Sequence, residues 1–110
     1  MLFDTHAHLD DERFKEDFND VIDKIKSSGV EFVVNPGYDL PSSENAVSLS
    51  EKYDFIYAAV GVHPHDVEEI NDKALDQLAK WCEHDKVVAV GEIGLDYFRS
   101  QTSKEMQAYA

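Results

Sequence analysis

Cysteine is almost missing from this chain. Cys82 stands alone among 110 residues, which excludes an internal disulfide and fits a reducing, cytoplasmic setting. Long apolar runs are missing too. The longest, Phe55-Ile56-Tyr57-Ala58-Ala59-Val60, falls far short of the roughly 18–20 residues that span a bilayer, so no membrane partner is expected. Residues 1–30 lack the basic start and apolar stretch of a secretory leader. Basic side chains are scarce: ten Lys and Arg stand against 23 Asp and Glu, a formal charge of −13. That balance argues against a broad, sequence-independent grip on nucleic acid, which needs clustered cations. Chemistry on a phosphate at a metal centre stays open, because bound divalent ions reverse the local potential. For most of the carboxylates, solubility is reason enough.

What is present is a core-forming composition, 43% hydrophobic, in a length that suits one small domain. Apolar runs alternate with amphipathic stretches. Leu2 to Asp10 reads as a first strand. Asp10 and Asp11 can cap a helix whose stripe is Phe14, Phe18, Val21, Ile22 and Ile25, ended by Ser27-Ser28-Gly29. Val30–Val34 reads as a second strand, closed by Asn35-Pro36-Gly37. Pro41, Ser42 and Ser43 open a helix over 42–53, with Ala46, Val47 and Leu49 inward. Phe55–Val60 is a third strand. A third helix starts at Asn71 or Asp72 and turns Ala74, Leu75, Leu78, Ala79, Trp81 and Cys82 inward; Cys82 there is packing, not a nucleophile. Val87–Val90 is a fourth strand, and Ser100 to Ser103 cap the start of a fourth helix. Strands apolar on both faces and alternating with helices predict a parallel sheet covered by helices, with no linker that marks a second domain.

The chemistry starts in the first strand. Side chains alternate along a strand, so Asp4, His6 and His8 would share one face, with the two imidazoles about 6–7 Å apart along the axis. Phe3, Thr5 and Ala7 would face the other way. Two such imidazoles can close on one metal ion. In the fourth strand Val88, Val90 and Glu92 share a face by the same rule, and a carboxylate directly after a buried run needs a partner. In a parallel sheet Glu92 and His6/His8 would meet at the carboxyl edge, where α/β folds carry their sites. Gly91 and Gly94 flank Glu92 and permit close backbone approach. Two histidines and one carboxylate form a divalent-metal constellation.

Phe3-Asp4-Thr5-His6-Ala7-His8-Leu9-Asp10, Gly61-Val62-His63-Pro64-His65 and Gly91-Glu92-Ile93-Gly94-Leu95-Asp96-Tyr97 together resemble the successive signatures of the TatD family of metal-dependent hydrolases and deoxyribonucleases. The resemblance runs over the whole chain. It implies a (β/α)8 barrel of the amidohydrolase type, with a two-metal centre that hydrolyses phosphodiesters, often from the 3′ end of DNA. His6 and His8 would bind one ion and Glu92 would bridge both. The family's other ligands, two histidines and an aspartate, come from later strands that lie beyond residue 110. The expected architecture is therefore the N-terminal (β/α)4 half of a barrel, cut within the fourth helix. Such a half exposes two sheet edges and an apolar inner face, and a second copy related by a two-fold axis could cover them.

Other residues have narrower expected roles. One of His63 and His65 would contact substrate or leaving group. Asp96 would hydrogen-bond a metal-ligating histidine, and Asp4 could do the same. Arg99 could hold a phosphate oxygen, and Tyr97 and Tyr38 could stack on bases. His84, beside Asp85, is a surface residue. Two divalent ions would activate water, orient the phosphate and stabilise the leaving oxygen. Imidazole suits Zn or Mn, and phosphate chemistry leaves Mg open. DNA or a small phosphoester is the expected substrate. Hydrolysis of an amide or small ester, or an inert half-barrel that only binds metal or oligomerises, are the alternatives.

Overall fold

The computed structural model describes residues 1–99 and 101–110, with the side chain of Glu69 also outside the description. Four strands form one sheet in the order β1-β2-β3-β4, with every neighbouring pair parallel. They are β1 (Leu2–Asp4), β2 (Val30–Pro36), β3 (Ile56–Val60) and β4 (Val87–Val90). Between and after them run α1 (Phe18–Ser27), α2 (Leu40–Lys52), α3 (Asp72–Cys82) and α4 (Lys104–Tyr109). Short 3-10 turns cover Glu12–Phe14 and Pro64–Glu69. The four βα units form half of a TIM-type barrel wall.

The helices follow local chemistry. Asp39 caps α2: its carboxylate accepts from the Ser42 amide at 2.8 Å, and the Ser42 hydroxyl accepts from the Asp39 amide in return, a reciprocal capping box. Hence α2 begins at Leu40, two residues before the expected start. The Asn71 side chain accepts from Ala74 to start α3, and that of Ser103 accepts from Met106 to start α4. Ser100, the other end of the expected cap, lies outside the described residues. Gly29, at φ 88°, turns the chain out of α1 in the left-handed region that a side chain resists. Asp11 does cap a helical turn, but only the short one at Glu12; α1 waits until Phe18.

The core lies where helices cover the sheet. Leu9, Ile22, Val33 and Ile56 make one cluster, joined by Phe18 and Ile25 of α1 and Leu49 of α2. Ala46, Val47, Ala58 and Val60 make the next, against Leu78 and Trp81 of α3. Val62, Val67, Ile70 and Ala74 make a third. Ala79 and Cys82, expected inward, are exposed. In α3 the packed stripe runs through Ala74, Leu75, Leu78 and Trp81, and Ala79 and Cys82 fall outside it. Phe3 stacks on Phe32 at 4.8 Å yet stays 60% exposed, and Val88 and Val90 on β4 are also open.

A candidate metal centre at the strand ends

The opening strand is shorter than its sequence suggests. β1 ends at Asp4, and His6 and His8 sit in the loop beyond it rather than on one strand face. The loop still brings them together: the two Nε2 atoms are 3.2 Å apart, with the rings edge to face. Glu92, just past β4, reaches the same point. Its Oε1 is 3.7 Å from His6 Nε2 and its Oε2 is 3.5 Å from His8 Nε2. One ligand atom from each of the three residues can be chosen so that all lie within 4.8 Å of one another. β1 and β4 are the two outer strands of the sheet, so the three residues meet from its opposite edges.

The geometry fits an ion. Two imidazole nitrogens bound at about 2.0–2.1 Å with a tetrahedral angle stand about 3.3 Å apart. The observed 3.2 Å agrees, and the carboxylate distances are a few tenths of an ångström wider. Two nitrogen lone pairs and a carboxylate aimed at one point repel unless a cation or a proton lies between them. The Nδ1 of His8 is buried and unpartnered, so the polar contacts of its ring are on the Nε2 side. Three protein ligands leave a position open, as in catalytic rather than structural sites. Zn, Mn and similar ions suit this nitrogen-rich set.

A second constellation stands beside the first. His65 Nε2 lies 2.8 Å from Asp96 Oδ2. The other Asp96 oxygen accepts the amides of Phe98 and Arg99 at 3.1 and 3.0 Å. Asp96 therefore serves His65, not a metal-ligating histidine as expected. Its pKa is lowered below the ordinary value, first by the Arg99 amide and next by His65. Gln107, only 3% exposed, holds the Asp96 backbone from α4: it accepts the Asp96 amide at 2.9 Å and donates to its carbonyl at 3.1 Å. His63 caps the turn that carries His65, its Nδ1 accepting the His65 amide at 3.1 Å. An open cleft of about 580 Å³ runs between the two groups and is lined by Thr5, His6, His63, Glu92 and Asp96, with Val34, Ala59 and Val90 among its apolar side chains.

The remaining expectations fare unevenly. Asp4 is exposed and accepts the His6 amide at 3.1 Å, shaping the loop rather than touching a ring. Tyr38 stands edge-on to His8 at 6.0 Å, and burial with nearby Asp39 pushes its hydroxyl pKa up. Tyr97 is half exposed under the Lys104 ammonium, and Arg99 is exposed; neither lines the cleft. His84 pairs with Glu51 at 3.1 Å, a surface contact that includes none of the site residues. Sequence reasoning passed over Gln107 and Asn35. A polar residue closing an apolar strand was the available signal for Asn35.

Comparison with known proteins decides the family. The model of TatD-related DNases matches residues 3–110. This chain belongs to the TatD-related DNase family. Among its relatives is the uncharacterised metal-dependent hydrolase YabD of Bacillus subtilis, 44% identical over 107 residues, covering 97% of this chain and 42% of YabD. The 3′-5′ ssDNA/RNA exonuclease TatD of Pectobacterium carotovorum is 34% identical, over 99% of this chain and 42% of that enzyme. The crystal structure of YjjV, a TatD homologue from Escherichia coli, superposes with a TM-score of 0.85 at 35% identity, covering 98% of this chain and 42% of YjjV. The chain thus spans well under half the length of these TatD relatives. No helix among the described residues is long and apolar enough to cross a membrane.

Proposed function

We propose that this chain carries the metal-gathering half of a hydrolase that cleaves phosphodiesters, removing nucleotides from the 3′ end of single-stranded DNA. One observation carries the reading: His6, His8 and Glu92, from opposite edges of the sheet, converge on one point. The printed activity of the Pectobacterium TatD relative supports the substrate class. Divalent ions, when bound, would supply an activated water and a Lewis acid for the phosphate. His6 and His8 would hold the first ion, and Glu92 would bridge to a second. His63 and the His65–Asp96 pair, across the cleft, would bind the substrate or move the proton to the leaving oxygen. Arg99 and Tyr97, outside the cleft itself, would meet the phosphate and base of a strand that extends beyond it. With a net charge of −13, the grip on DNA is local, made by these few groups and the ions.

The same reading assigns the chain as the first four units of a barrel, in a reducing, cytoplasmic setting. The open apolar side chains Val88, Val90, Ile93 and Leu95 need a cover, and a second copy about a two-fold axis would supply one. Molar mass in solution tests the pairing: a dimer supports it, and a well-behaved monomer at micromolar concentration removes it. Activity is tested by a panel of single-stranded DNA, small phosphoesters and N-acyl substrates with added Mn, Zn or Mg. Release of 3′ nucleotides is expected. Turnover of the N-acyl compounds alone would move the reading to an amidohydrolase.

A further inference from the structure

We propose that Asn35 is the positioning residue for His8, and that the exit of β2, residues 34–38, is the register on which the whole site is assembled. The proposal rests on the metal-site reading above. Four bonds carry it. The Ala7 amide donates to the Val34 carbonyl at 3.1 Å. The Leu9 amide donates to Asn35 Oδ1 at 2.6 Å. The Glu92 amide donates to the Gly37 carbonyl at 2.6 Å, and the His63 amide to the Tyr38 carbonyl at 2.8 Å. One short stretch of chain therefore touches the neighbours of His8 on both sides, the backbone of Glu92, and that of His63.

Within that stretch Asn35 is the one side chain that does the tethering. It is fully buried. An amide N–H can only donate, so the Leu9 contact fixes Oδ1 towards the loop and leaves Nδ2 to donate to Asp10 Oδ1 at 3.1 Å. His8 thus hangs between two anchored residues, Ala7 and Leu9, and the Leu9 side chain, 5% exposed, adds a third hold in the core. A loop residue outside any strand has few backbone restraints of its own. Removing the Asn35 amide leaves the Leu9 N–H without a partner and frees the backbone on the far side of His8. Ser43 provides the comparison: it is equally buried and packs on Gly37, and its hydroxyl bonds the Gly61 amide and carbonyl at 3.2 Å, but it makes no hydrogen bond to residues 6–10.

The test titrates Co²⁺ into the metal-free full chain, reading its visible spectrum, and measures amide hydrogen exchange at Leu9 without metal. Asn35→Ala is expected to weaken Co²⁺ binding about 10–100-fold, in the range seen when supports behind metal ligands are removed. It should also speed exchange at Leu9. Ser43→Ala should move neither. Exchanging the partners, Asn35→Asp with Asp10→Asn, restores an acceptor for Leu9 and a donor opposite it, and should recover most of the affinity; this variant decides the matter if Asn35→Ala does not fold. Unchanged Co²⁺ affinity and Leu9 exchange in Asn35→Ala, or equal losses in Ser43→Ala, would overturn the proposal. Failure of the unaltered chain to take up Co²⁺ would instead remove the metal reading, with the Leu9 exchange still reporting on the tether.

Discussion

Val33, Ile56, Ala58 and Val60, on the two central strands, are at most 1% exposed, whereas Val88 and Val90 on β4 are 53% and 57% exposed. The residues are of the same kind and all lie in strands. The difference is position: β2 and β3 have a strand on each side and helices across one face, while β4 has a neighbour on one side only. The same contrast separates the anchors of the site. Glu92 follows the open strand but is tied back to Gly37 of the closed region, and His8 is tied to Asn35 there. The well-packed centre sets the geometry, and the open edge presents it.

The sharpest way to break this comparison is to delete the same kind of atoms in both regions. Ile56→Ala should cost about 2–5 kcal/mol in urea unfolding, as for a fully buried aliphatic side chain. Val88→Ala should cost under about 0.5 kcal/mol, as an exposed position does. Equal costs would mean that the open face is already covered in solution. A smaller effect sharpens the picture of the centre: Asp39→Ala removes the α2 cap and should lower stability by about 1 kcal/mol, since the Ser42 amide loses its acceptor. No shift in the unfolding midpoint would show that the box contributes nothing to holding α2 over β3.

The smallest effects are electrostatic and sit at the rim. Asp96 has a folded pKa below the usual 3.8, and Asp11, paired with Arg13, has one of about 2. Both are lowered, so each contributes stability that is present above the ordinary carboxylate pKa and lost as pH falls through the folded value. Carboxyl NMR titration should find both midpoints below 3.8, with that of Asp11 at about 2. Both carboxylates are partly open to solvent, which screens their pairing, so the change in overall stability should be slight. An Asp96 midpoint at or above its ordinary value would contradict the bonds drawn to Arg99 and His65.

The βα rhythm was legible because each strand is a bounded apolar run and each helix an amphipathic stripe. Parallel pairing followed, and with it the edge where His6, His8 and Glu92 meet. The length of β1 was not legible. Alternation through Leu2–Asp10 continues past the point where the backbone leaves the sheet, and the side-chain pattern does not record that departure. The inward face of α3 was overcounted for a related reason: periodicity marks Ala79 and Cys82 as apolar, but only the width of the sheet decides whether anything lies opposite them. The place of Asp96 beside the cleft was legible but not its partner, because His65 reaches it through a turn capped by His63. Asn35 and Gln107 were missed since each acts through contacts 25 or 26 and 11 residues away, respectively, which no local pattern carries.

The central claim is that His6, His8 and Glu92 hold a divalent ion together. Elemental analysis of the purified chain and of Glu92→Ala, each first checked for folding by circular dichroism, tests it most directly. The account predicts about one tightly held divalent ion per unaltered chain and its loss from the variant. Metal retained at the same stoichiometry and affinity after Glu92→Ala would contradict it.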